Sequence, residues 1–124
     1  MKALLTNYHQ SPRKVRLVAD LIRGKSVMQA KAALMFLSKK SSPAVEKLLD
    51  SAVSNARQMG KEADNLFVKT IAVNKGAAMR RFKPMARGRA ARFQRVFSII
   101  SLELGELSAT KKPAKKAKAE KVNS

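Results

Sequence analysis

The chain has 124 residues, with 27 Lys or Arg against 8 Asp or Glu, for a formal charge of +19. This length supports one domain; the absence of cysteine excludes a disulfide framework, and a single histidine without thiols excludes a zinc site of the usual kind. The longest apolar run, residues 32–37, is too short to span a membrane, and residues 1–7 hold no secretory apolar segment, so a cytoplasmic location is expected.

Residues 2–9 read as a short strand or extended lead-in, with Leu5 and Tyr8 among polar neighbours. Ser11-Pro12 then places a capping hydroxyl before a proline at the first helical position. Val15, Val18, Ala19 and Ile22 recur at helical spacing until Gly24 stops the helix. Arg13, Lys14, Arg16 and Arg23 lie beside or away from that stripe, with Asp20 as the local counter-charge. Ser26-Val27-Met28-Gln29 matches a capping box and opens a second helix running to about Leu37, with Val27, Ala30, Leu34 and Leu37 in line. Ser42-Pro43 repeats the helix-start signal. Val45, Leu48, Leu49, Ala52, Val53 and Ala56 form the cleanest apolar stripe of the chain, ending at Met59-Gly60. With aromatics at 5 %, the core is expected to be Ala, Val, Leu and Ile on closely approaching helices.

After a polar connection at residues 61–65 the pattern becomes β-like over residues 66–73, and again over residues 93–104, so the two runs can pair antiparallel. Residues 66–102 contain nine Lys or Arg and no Asp or Glu. Seven of these cations, Arg80, Arg81, Lys83, Arg87, Arg89, Arg92 and Arg95, fall within residues 80–95. If pairing continues, Pro84-Met85-Ala86-Arg87-Gly88 becomes the turn of an arm roughly 30 Å long at strand rise. Such a segment repels itself, and phosphate contacts neutralise that repulsion. An anionic membrane is a poorer partner, because Pro84 and Gly88 interrupt any amphipathic helix there. Six of the seven arm cations are Arg, whose planar fork bonds phosphate bidentately and stacks on bases, which favours shaped RNA. Phe82 and Phe93 either stack on bases or form a cross-strand pair. Residues 108–124, Lys and Ala with one proline, read as a disordered basic tail.

Catalytic signals are weak. His9 has no accompanying nucleophile motif and points to a structural or RNA-facing role, while Gly24-Lys25-Ser26 lacks the upstream glycine of a phosphate-binding loop and reads as a turn between helices. Met79 and Met85 read as adaptable packing. No cofactor or metal is expected.

Three segments carry a family resemblance. Ser11-Pro12-Arg13-Lys14-Val15-Arg16-Leu17-Val18-Ala19-Asp20-Leu21-Ile22-Arg23-Gly24-Lys25 resembles the N-terminal signature of the bacterial large-subunit ribosomal proteins of the L-twenty-two family. Val45-Glu46-Lys47-Leu48-Leu49-Asp50-Ser51-Ala52-Val53-Ser54-Asn55-Ala56 is similar to its long helix, and Arg81-Phe82-Lys83-Pro84-Met85-Ala86-Arg87-Gly88-Arg89-Ala90 to its hairpin tip. The resemblance runs over about residues 2–105.

It implies an α+β fold of three helices on a small three-stranded antiparallel sheet with a long protruding β-hairpin. The globular part would be residues 1–75 and 97–107, and the arm residues 76–96. It also implies a structural, non-enzymatic protein of the large ribosomal subunit, partnered by large-subunit rRNA, neighbouring ribosomal proteins and the nascent polypeptide. The implied rRNA contacts are Arg13, Lys14, Arg16, Arg23 and Lys25 from the globular part, and Lys75, Arg80, Arg81, Lys83, Arg87, Arg89, Arg92 and Arg95 along the arm. Met85, Ala86, Arg87, Gly88, Arg89 and Ala90 would line the peptide exit tunnel, near the site of macrolide antibiotics.

The chain departs from the family at Met85, commonly an arginine, and at Ala91, commonly acidic. It departs again at Val96-Phe97-Ser98-Ile99, where a polar Arg-Thr-Ser-His-like run is usual; this last change alters a surface near the strand. Two other classes of function stand beside this reading: a free DNA-architectural protein, suggested by the Lys-Ala tail, and a small RNA-acting enzyme using His9.

Overall fold

A computed structural model describes residues 1–107, so the basic tail expected at residues 108–124 lies outside the described residues. Strand β1 (Lys2–Tyr8) leads into helices α1 (Pro12–Ile22), α2 (Val27–Phe36) and α3 (Ser42–Gln58). A 3-10 turn, Ala63–Asn65, then precedes two long strands, β2 (Leu66–Pro84) and β3 (Ala90–Glu106), with a second 3-10 turn, Ala86–Gly88, between them. The sheet order is β1-β3-β2, with every pairing antiparallel. This is the expected α+β architecture of three helices, three antiparallel strands and a long hairpin.

Each helix forms where its apolar stripe is sharpest. Val15, Val18, Ala19 and Ile22 of α1 are buried, as are Val27, Ala30 and Leu34 of α2 and all six stripe residues of α3. They meet Ala3 of β1, Leu66, Val68, Ile71 and Val73 of β2, and Ile100, Leu102 and Leu104 of β3 in one core cluster. The alternation of buried and open positions along β2 and β3 shows that the helices cover one face of the sheet. The core contains only Ala, Val, Leu and Ile, which lets helix and sheet approach closely.

The helix ends depart from expectation in detail. Ser11 precedes α1 in an extended conformation, but its hydroxyl makes no cap bond. Ser26 does cap α2, accepting from the Gln29 amide at 3.4 Å. The second helix ends at Phe36, one residue early, because Leu37 is already extended. Ser42 is the first helical residue of α3 and not its cap: its buried hydroxyl donates to the Leu34 carbonyl at 2.5 Å, tying the two helices together.

With order β1-β3-β2, strand β2 has one unpaired edge, and α1 covers it. The Arg16 guanidinium donates to the Val73 carbonyl at 3.2 and 3.1 Å, and that of Arg23 to the Ile71 carbonyl at 3.0 Å and to Asp20 at 2.7 Å. The turn after α1 continues the cover: the Gly24 amide donates to the Val68 carbonyl, the Val68 amide to the Lys25 carbonyl, and Ser26 bridges to Phe67. The edge carbonyls of Val68, Ile71 and Val73 and the Val68 amide are therefore occupied, which blunts this edge as a template for another strand. Among the described residues no helix is long and apolar enough to cross a membrane.

Two outcomes test this packing. Leu49→Ala, at a fully buried position, is expected to lower unfolding free energy by about 2–5 kcal/mol in urea titration. Replacing both Arg16 and Arg23 by Ala is expected to cost roughly 1 kcal/mol or more from the lost bonds to carbonyls, even without RNA present; unchanged stability would show that the edge needs no cover.

Candidate nucleic-acid interface

Beyond Val73 the β2–β3 ladder leaves the helices. The register shifts between Lys75 and Ala78, and pairing then runs from Ala78 with Val96 to Pro84 with Ala90. No residue from Asn74 to Arg95 is buried. Pairing thus does continue along the arm, and the turn falls at Met85 to Arg89, one residue later than expected, because Pro84 is still in register with Ala90. The Met85 amide closes the turn on the Arg89 carbonyl at 2.7 Å. Arg87 (φ 59°) and Gly88 (φ 68°) both take left-handed backbone here, which glycine adopts freely and arginine at some cost.

Side chains alternate across a two-stranded ladder, so the arm has two faces. Arg81, Lys83, Phe93 and Arg95 share one; Arg80, Phe82 and Arg92 share the other. Phe82 pairs with Arg92 and Phe93 with Arg81, so the two phenyl rings point to opposite sides and do not form the cross-strand pair. Each ring instead carries a cation: Arg92 over Phe82 at 6.0 Å and Lys83 over Phe93 at 5.3 Å. These contacts hold the charged heads along the faces at about 1 kcal/mol or less each at an exposed site. The ion pairs among the described residues are Arg23–Asp20, Lys31–Asp50 and Lys61–Glu106, none of them on the arm. Both faces therefore present positive charge without internal compensation, a distribution suited to a polyanion that surrounds the arm.

The globular cations divide into two groups. Arg16 and Arg23 spend donors on strand carbonyls and Lys25 sits in the edge-covering turn, whereas Arg13 and Lys14 are exposed on the first turn of α1. Lys75 is exposed where the ladder shifts register. Lys14 lies on a groove at the arm root together with Arg95, His9, Phe97 and Lys40. Lys40 belongs to the α2–α3 loop and has no signal in the sequence beyond its charge. The His9 and Phe97 rings stack with centroids 4.3 Å apart and planes 12° from parallel. No Asp or Glu lines that groove, so His9 has no carboxylate there to orient it as a catalytic base.

The comparisons with known proteins agree with this geometry. The family model described as ribosomal protein L22p/L17e matches residues 3–105. The large ribosomal subunit protein uL22 of Pelobacter propionicus is 48% identical over 105 residues, covering 84% of this chain and 95% of that protein. Its namesake in Mesoplasma florum is 56% identical over 90 residues, covering 72% and 80%. That of Neorickettsia sennetsu is 43% identical over 112 residues, covering 90% and 99%. With both the family pattern and these relatives spanning nearly all the described residues, the chain belongs to the ribosomal protein L22p/L17e family.

Proposed function

We propose that this protein is a structural constituent of the large ribosomal subunit that binds large-subunit rRNA and supports subunit assembly, with its arm tip at the wall of the nascent-peptide exit tunnel. The observation that carries the reading is the arm, an exposed ladder without a core or an acidic residue, with cations on both faces. An isolated two-stranded hairpin is marginal in water. One that repels itself gains its order from phosphates packed on either side. Arg80, Arg81, Lys83, Arg87, Arg89, Arg92 and Arg95 then serve as phosphate ligands along the arm, and residues 85–90 as the tip facing the nascent polypeptide. Arg13, Lys14 and Lys75 extend the footprint onto the globular part, with Arg16, Arg23 and Lys25 keeping their free donors for the same RNA. Neighbouring large-subunit proteins complete the surroundings, and the compartment is the cytoplasm.

The first test is sedimentation of a tagged copy through a sucrose gradient with subunits intact. Stoichiometric migration with the large subunit, lost on ribonuclease treatment, is expected; migration with DNA or as free protein would reject the reading. Replacing Arg87 and Arg89 by Glu is expected to reduce incorporation. In purified binding assays each phosphate-contacting cation removed should lower the slope of log affinity against log salt by about 1; an unchanged slope and normal incorporation would remove these two residues from the interface. Deleting residues 79–81 takes an odd number from one strand, so side chains between the deletion and the tip exchange faces. Subunit incorporation should survive while the tunnel wall and macrolide response change, and an unaltered tunnel map would reject the tip assignment.

A further inference from the structure

At the root of the arm a groove of about 450 Å³ brings together His9, Lys14, Lys40, Arg95 and Phe97, three cations beside two stacked rings. Phe97 is buried, yet it stands outside the core cluster shared by the helices and sheet. Its ring is covered by His9, which is itself exposed, so the imidazole face turned away from Phe97 is open.

This platform is held from both sides. The β1–β3 register shifts between Leu5 and Tyr8, and Asn7 takes a left-handed φ of 58°, swinging the chain toward His9. The Tyr8 hydroxyl, whose pKa is raised by burial, donates to Gln10 Oε1 at 3.2 Å, and the buried Ser98 hydroxyl donates to the Gln10 carbonyl at 2.5 Å. On the other side a Cβ at Gly76 would lie 3.2 Å from the Phe97 carbonyl oxygen, so the register shift of β2 closes tightly on the Phe97 backbone. A ring fixed in place before its ligand arrives loses little freedom on binding.

An open aromatic face ringed by cations, with no carboxylate in the lining, suits a planar π-system that carries negative charge. A basic or purely apolar peptide satisfies only half of that description. We propose that the groove is a nucleotide site: one unpaired RNA base stacks on the outer face of His9, and its flanking phosphates lie on Lys14, Lys40 and Arg95. The site rests on the RNA-binding reading and adds to it a position where the base itself is contacted.

His9 is the sole histidine, so histidine-labelled full-length protein yields a single imidazole signal in carbon-resolved NMR. It is titrated with a short oligoadenylate and with an abasic oligomer of equal length and charge. Expected are an upfield ring-current shift of the His9 protons with oligoadenylate only, and binding of that oligomer tighter by roughly fivefold or more. Phe97→Leu should shrink that difference while retaining binding of the abasic oligomer. Equal binding of the two oligomers without a His9 shift would overturn the nucleotide site and leave RNA binding by the arm intact. Failure of both to bind would also remove the site, and the sedimentation experiment, which reads the whole assembly, then decides the parent reading independently.

Discussion

The antiparallel pairing of β2 with β3 is the constraint on which the rest of the molecule depends, because a single ladder passes through two environments. From Leu66 to Val73 one face of β2 is packed under helices and its free edge is bonded to α1 and the following turn. From Ala78 onward the same two strands have neither cover. The covered half sets direction for the uncovered half, since strands paired at Val73 and Ile100 continue outward, through the one-residue shift between Lys75 and Ala78, as an extended ribbon. The arm's shape is thus borrowed from the core, while its two uniformly positive faces leave it with nothing of its own to hold it in place.

Helix α1 stands at the junction of these environments and divides its charges accordingly. Arg16 and Arg23 lie on the side facing the sheet edge and bond to Val73 and Ile71, while Arg13 and Lys14 sit in the first turn, with Lys14 on the groove at the arm root. A guanidinium is well suited to the edge because its several donors can reach a carbonyl and still leave N–H groups for solvent or phosphate. Neutralising the sheet edge and addressing RNA are therefore compatible tasks for the same residue type.

Two of the sheet's three register shifts meet at the arm root. Register shifts occur in β1 beside Tyr8 and in β2 beside Gly76, and both frame Phe97 and Ser98 of β3. Bulges of this kind add twist and re-aim side chains. Here they turn the ribbon out of the globular part and place His9 over Phe97, so the departure of the arm and the groove at its base are products of the same geometry.

The helices were legible in the sequence because their signal is local: the spacing of Val45, Leu48, Leu49, Ala52, Val53 and Ala56 names the buried face of α3 without reference to any other segment. The acid-free run between Leu66 and Leu102 likewise announced an uncompensated positive surface, since net charge is additive along a chain whatever its fold. Sequence could not separate Arg16, bonded to a strand 57 positions away, from Arg13 in the same helix, because the difference lies in which strand edge is left open. Nor could it decide whether Phe82 and Phe93 meet, because a register change of one residue moves a side chain to the opposite face. The pairing of His9 with Phe97 and the approach of Lys40 to Arg95 depend on two bulges and a loop between helices. Composition and periodicity determined the elements and the charge of the exposed arm; long-range register, which no local pattern encodes, decided which residues stand together on it.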